Sequence, residues 1–357
     1  MVSLNEDFQQ AGVSRRVSAG RRAHKVLFAA LLSTGLLSIA IGPVDVSLWV
    51  VLQKLTTGQS LSTLEYVIFW DIRLPRLVMG ICVGAALAVS GAVMQGLFRN
   101  PLADPGLIGV GAGAGLGAII AIVLGGVLPS FIIGIFGNYV IIFAAFLGGW
   151  ISTLLLYRVA TREGLTSVAT MLLAGIALGA LAGAISGVLV YKADDNQLRD
   201  LTFWGLGSLA GATWTKVMGA GPLMLVSIAI ATTLGRGLNG LALGEATATH
   251  IGISTQRVKN IAIFSVAAAT GAAVAVSGGI GFIGIIVPHL LRQTIGPDHR
   301  TLIFNSGLLG AIILVFADMI SRMIVAPSEL PIGIITAILG APVFLWVLLR
   351  QRNVGIW

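Results

Sequence analysis

The sequence predicts an all-α polytopic membrane protein with ten transmembrane helices, and three observations predict it. Mean hydropathy is +0.97, and only 10% of the 357 residues are charged, against about 25% in soluble domains. The apolar residues gather into continuous runs near the ~20 residues a helix needs to cross a bilayer, not into the roughly ten-residue alternating segments of a transmembrane barrel. The charges collect between those runs, and no segment of soluble-domain size interrupts them.

The first run, 26–42, follows a basic tail, residues 1–25, with Arg15, Arg16, Arg21, Arg22 and Lys25. Tail and run look like the start of a signal peptide. The run is long, however, and no small-x-small cleavage site comes before Pro43, so a retained first helix is expected. The second run, 74–97, opens at two arginines around a proline, Arg73-Leu74-Pro75-Arg76, and ends in the turn Phe98–Gly106. The third, 107–128, carries a glycine ladder. Its pairs Gly109/Gly113, Gly111/Gly115 and Gly113/Gly117 allow close helix approach where lipid supplies no hydrophobic drive. Runs at 131–157, 166–191, 217–235 and 258–277 follow. The eighth, 280–294, is short and punctuated by Gly281, Gly284 and Pro288; irregular backbone is expected there, under protein cover. Runs at 302–321 and 331–349 complete a membrane domain of residues 26–350, leaving 351–357 as a second tail.

With both termini in the cytoplasm, 15 of the 22 basic residues fall inside and seven outside, as the positive-inside rule requires. The outside seven are Lys54, Arg73, Arg76, Lys192, Arg199, Lys216 and Arg322. The net charge of +8 therefore speaks of topology, and no nucleic-acid partner is implied.

Ala85–Gly91 recurs as Ala272–Gly278 with six identities in seven. The copies lie on spans two and seven, which run in opposite directions. An inverted repeat of spans 2–5 and 7–10 is expected, with a pathway where the halves meet.

Chemistry is sparse. No lysine follows a glycine, so the phosphate-binding G-x-x-x-x-G-K-[ST] pattern is missing, and the chain is not expected to be an enzyme. A dinucleotide-binding reading of the glycine ladder fails for want of a preceding strand. Cys82 is the single cysteine, no Cys/His cluster has metal-ligand spacing, and neither a metal nor a cofactor is expected. The histidines, His24, His250, His289 and His299, fall on or near the cytoplasmic side; His289 reads as an interface residue. Of the acidic residues only Asp318 falls within a run. Its i,i+4 neighbour Arg322 can neutralise it, which leaves ion coupling weak and an external energy source the better idea. The longest inside loop, 235–252, holds a helix-forming middle bracketed by glycines, suited to docking a soluble partner.

Six ordered blocks carry a resemblance across residues 26–350. They are R-L-P-R at Arg73–Arg76, S-G-x-x-x-Q-G at Ser90–Gly96, N-P-L-A-D-P-G-L-I-G at Asn100–Gly109 and A-L-G-E-A at Ala242–Ala246. The others are the G-x-G-F-I-G-x-x-x-P-H-x-x-R block ending at Arg292, and E-L-P-I-G-x-x-T-A-x-L-G-A-P-x-F at Glu329–Phe344. Together they resemble the iron-siderophore, haem and cobalamin ABC importer permeases. The resemblance implies the type II importer architecture in a bacterial inner membrane. A second copy of the chain, two cytoplasmic ATP-binding subunits and a periplasmic substrate-binding protein are the implied partners, with a pathway along the dimer axis.

The resemblance also assigns residues. Arg73, Arg76 and Arg322 would meet carboxylates of the binding protein, a role suited to arginine's planar fork; the alternative is anchoring at the membrane interface. The ATPase-coupling segment maps to Leu241, Ala242, Leu243, Gly244, Glu245, Ala246 and on to His250. Against the broader E-A-A-x-x-x-G loop of ABC permeases, Thr247 departs at the third position and Gly252 falls one step late, which leaves atom-level contacts open. Asn100 and Pro101, with Thr166 and Ser167 at the start of span five, would form the cytoplasmic gate. The outer segment Arg199–Trp214 is most similar to the haem-importing branch, so haem is favoured over ferric siderophore and cobalamin, although its aromatics suit the membrane interface equally. An ion-coupled secondary transporter is the competing class.

Overall fold

The computed structural model describes residues 2–352 apart from 45, 128, 130–133, 135 and 164. The final five residues of the expected C-terminal tail and part of the start of the expected fourth span lie outside the described residues. Among the described residues seven helices are long and apolar enough to cross a membrane, and three shorter apolar ones, Val110–Leu124, Ile283–Ile295 and Ile332–Trp346, occupy expected spans three, eight and ten.

The first helix, α1, is Val2–Ala40, so the expected tail is continuous with the first span and not separate from it. The connection to span two is also more ordered than a plain loop. It holds α2 (Leu48–Thr56), α3 (Thr63–Tyr66) and a π-helical turn, Val67–Arg73. A capping box starts α3: Ser62 Oγ accepts from the Glu65 amide at 3.2 Å and Glu65 accepts from the Ser62 amide at 2.7 Å, which satisfies two otherwise orphaned donors. Lys54 bonds Glu65 at 2.7 Å and ties α2 to α3.

The π turn leads into α4 (Leu74–Leu97), the centre of the fold. It packs against α14 (His299–Met323), α12 (Thr255–Ser277), α9 (Trp214–Thr233) and α13 (Ile283–Ile295). The most apolar stretches of α4 and α12 are 78% buried, those of α1 and α7 (Val168–Lys192) only 11%. The apolar surface of α4 and α12 is thus spent on helix packing, while α1 and α7 leave theirs open on the rim. Small residues permit the close packing: a Cβ at Gly91 would overlap the Gly284 carbonyl on α13.

The glycine ladder lies on α5 (Val110–Leu124), which pairs with α6 (Val140–Ala160). Only one of its two stripes makes the contact. Gly109, Gly113 and Gly117 meet Ser152 with Leu156, Gly148, and Ala144, whereas Gly111 and Gly115 face nothing within 4 Å. The irregular backbone expected in span eight precedes its helix: residues 278–282 are not helical and Phe282 has φ of 69°. Pro288 lies inside α13.

Each repeat copy is buried at six of its seven residues, and the two differ in position. Ala85–Gly91 lies inside α4, whereas Gly278 is the first residue past the end of α12. The remaining elements are β1 (Thr161–Arg162) and β2 (Leu165–Thr166), an antiparallel pair, α8 (Asp195–Leu206), α10 (Gly235–Ala242), α11 (Glu245–His250) and α15 (Ile332–Arg352).

Candidate functional site

The residues singled out by sequence fall at two ends of the helix assembly. At the end where α1 finishes and α4 begins, Arg73, Arg76 and Arg322 are each 4% exposed. The π turn and first turn of α4 place Arg73 and Arg76, and the last turn of α14 places Arg322. Arg73 Nη1 donates to the carbonyls of Ile39 (2.7 Å) and Val46 (3.0 Å), and Nη2 to that of Val44 (2.7 Å). The C-terminus of α1 leaves such carbonyls without helical donors and carries partial negative charge. Arg76 holds Asp318 through Nε at 2.9 Å and Nη2 at 2.8 Å, and Glu329 through Nη1 at 2.7 Å. Arg322 lies 3.2 Å from the other Asp318 oxygen, as the i,i+4 spacing predicts, and donates to Ser38 Oγ at 2.9 Å.

The three guanidinium groups are covered by protein and bonded within the chain, so in this conformation they do not present a fork to another protein. Sequence pairs Asp318 with Arg322 by spacing, but it shows neither that Arg76 reaches Asp318 and Glu329 nor that the carbonyls of Ile39, Val44 and Val46 hold Arg73.

The other end gathers the coupling and gate residues. Thr166 is not at the start of a span but in the β1–β2 hairpin; Ser167 caps α7 by accepting from the Thr170 amide at 3.3 Å. Every polar atom of buried Thr166 is engaged. Its amide donates to Gln256 Oε1 at 2.9 Å, its hydroxyl meets Gln256 Nε2 at 2.7 Å and the Thr161 hydroxyl at 2.9 Å, and its carbonyl accepts from Lys259 Nζ at 2.8 Å. Lys259, 5% exposed, also donates to Glu245 Oε2 at 2.8 Å. Gln256 donates onward to Asn260 Oδ1 at 2.7 Å, which also accepts from the Tyr157 hydroxyl at 3.1 Å.

The expected coupling helix is two helices. Leu241 and Ala242 end α10, Glu245, Ala246 and His250 belong to α11, and Gly244 separates them at φ of 101°, a backbone angle that side chains oppose. Leu241 and Ala248 are buried, while Leu243 and Ile251 are 66% and 59% exposed. An apolar edge therefore projects from the turn, with half-exposed Glu245 beside it.

Asn100 and Pro101 lie exposed in the turn after α4. Asn100 Oδ1 accepts from the Leu102 amide at 2.9 Å. Among the described residues no hydrogen bond joins Asn100 to Thr166. Nearby, Asp104 caps the Gly106 amide at 2.7 Å, and burial pushes its carboxyl above the usual range. Gln95 locks α4 to α13: it donates to the Ile285 carbonyl at 3.1 Å and accepts from Arg292 at 2.7 Å.

Gln256, Lys259 and Asn260 were not singled out by sequence, and Gln95, Arg292 and Glu329 entered only as members of the motif blocks, with no role assigned. One signal was available for Lys259: it is the only lysine within an expected span. Of the outer aromatics, Trp214 donates to the Trp70 carbonyl at 2.8 Å, and Trp204 borders a pocket of about 230 Å³ with Asp104, Thr270 and Gly281. Phe203 is 54% exposed.

A family model described as the FecCD transport family matches residues 30–350. The chain is 45% identical over 286 residues to the hemin transport system permease protein HmuU of Yersinia pestis, covering 80% of this chain and 84% of that one. It is 43% identical over 288 residues to the cobalamin import system permease protein BtuC of Halobacterium salinarum, covering 81% and 74%. A solved inward-facing structure of a metal-chelate type ABC transporter superposes with a TM-score of 0.79 at 31% identity, covering 91% of this chain and 99% of that one.

Proposed function

The chain belongs to the FecCD transport family, and from that premise we propose that this ABC importer permease carries haem across the bacterial inner membrane. The observation that carries the cargo assignment is the 45% identity to the hemin permease across 80% of the chain. Phe203 and Trp204 add aromatic faces on the segment similar to the haem branch. Cobalamin is the second reading, favoured by relatives that are 42–43% identical.

The working unit is two copies of this chain, two ATP-binding subunits and a periplasmic binding protein. ATP hydrolysis belongs to the separate subunits. Both termini lie in the cytoplasm. The binding protein docks on the end that holds Arg73, Arg76 and Arg322, and these arginines brace that face from beneath. The ATPase meets the Leu243–His250 turn, and Asn100, Pro101, Thr166 and Ser167 bound the cytoplasmic exit.

Reconstitution in proteoliposomes with the cognate ATPase and binding protein tests this. ATP-dependent uptake of hemin in preference to cyanocobalamin and ferrichrome is expected. Preferred cobalamin uptake would replace the cargo. Uptake that runs without the ATPase and collapses with a protonophore would overturn the ABC reading.

A further inference from the structure

The hydrogen bonds of Lys259 join two elements with different jobs. One is the α10–α11 turn, which projects Leu243 and half-exposed Glu245 into solvent. The other is the β1–β2 hairpin that positions Thr166 and starts α7. Lys259 Nζ reaches Glu245 Oε2 and the Thr166 carbonyl, both at 2.8 Å, from a side chain that is 5% exposed. Gln256, one turn before Lys259 on α12, holds the same hairpin through Thr166, and Asn260, one residue after it, accepts from Tyr157 on α6, the helix that leads into the hairpin. The base of α12 is thus a clamp on the hairpin, and among the described residues Glu245 is the one carboxylate that bonds this clamp.

We propose that Lys259 is a positioning residue that ties the ATPase-facing turn to the gate hairpin, so that displacement of one carries the other. This rests on the importer reading above. The physical reason is the cost of a buried ammonium. A charge out of water is tolerated when it is paired and hydrogen-bonded, and removing one member of a buried pair is strongly destabilising. If α11 moved away alone, Lys259 would keep only the neutral Thr166 carbonyl. Moving α11, the foot of α12 and the hairpin together preserves both contacts. A neutral side chain of similar length would impose no such penalty, so α11 could move without the hairpin.

The test uses the complete importer, permease with ATPase and binding protein, in nanodiscs for spectroscopy and in proteoliposomes for uptake. Nitroxide labels are placed at T247C on α11 or R162C on the hairpin, with Cys82→Ser as background. Adding ATP and vanadate is expected to change the spectra of both labels in the otherwise wild-type chain. In Lys259→Met the Thr247 label still responds and the Arg162 label does not. Hemin or cyanocobalamin uptake per ATP hydrolysed falls about tenfold, within the range of ordinary coupling energies. Lys259→Arg, which keeps the charge and two donors, restores the hairpin response. Glu245→Gln, at a half-exposed position that leaves the core intact, gives the same split if Lys259→Met does not fold. A hairpin response and uptake ratio unchanged in both neutral variants would overturn the relay. An ATP-insensitive Thr247 label in the unmutated complex would instead overturn the importer reading beneath it.

Discussion

Asp318 lies between two guanidinium groups, 2.8 Å from Arg76 and 3.2 Å from Arg322, and all three side chains are buried. Such a cluster is costly to build in a low-dielectric interior, and costlier still to break on one side. Asp318→Asn is expected to destabilise the protein by about 3–5 kcal/mol, measured as thermal unfolding of the purified permease; an unchanged midpoint would sink this account. Charge reversal at Arg76 should likewise act first on stability, so a docking defect counts as one only when the variant melts normally. At the other end Asp298 caps α14 and binds Arg300 at 2.7 Å. The Arg300 hydrogen bond, aided by Asn239, holds its carboxyl down to about 2. A depressed carboxylate stabilises the fold above its ordinary pKa and loses that contribution as pH falls through the depressed value. The melting difference between wild type and Asp298→Ala should therefore be constant above about pH 4 and shrink toward pH 2. A difference that stays constant down to pH 2 would exclude the carboxylate as its source.

Helix pairing shows what a motif leaves undecided. Five alternate glycines, Gly109 at the N-cap of α5 and four within it, form two stripes, and either one satisfies the small-xxx-small spacing. The fold uses Gly109, Gly113 and Gly117 against α6 and leaves Gly111 and Gly115 open. Gly113→Ala should lower stability by about 1–3 kcal/mol, as overpacking does. Gly115→Ala should leave it unchanged or raise it by up to about 1 kcal/mol through helix propensity. Equal effects in denaturation assays would mean that the stripe is not the contact. Span boundaries were legible because hydropathy is local: the expected 74–97 is α4, Leu74–Leu97. The β1–β2 hairpin was not, because Thr161–Thr166 reads as the polar edge of two spans, and partners 90 and more residues away, Gln256 and Lys259, add to its own strand pairing. Gly244 was legible as a glycine bracket, but its φ of 101° divides a segment that composition alone makes helical.

The buried centre and open rim of the whole molecule point to its assembly. In a lone chain α7 exposes Leu173, Ile176, Leu181 and Val188, a face that lipid or a second copy must cover. On the dimer reading, light scattering of the nanodisc-embedded protein gives twice the chain mass after subtraction of lipid; a single copy would count against it. The sequence by itself determined the membrane class, the positions of the apolar helices and the family, because hydropathy and contiguous motifs are properties of short stretches. It marked Arg73, Arg76, Arg322, Glu245 and Thr166 as residues to watch. Only the tertiary structure decided what they touch. Arg76 and Arg322 are buried against the carboxylates of Asp318 and Glu329, and Arg73 against carbonyls at and just past the end of α1. Glu245 and Thr166 share Lys259 because an ammonium buried at the foot of α12 needs a partner on either side, and folding brings those partners from segments far apart in the chain.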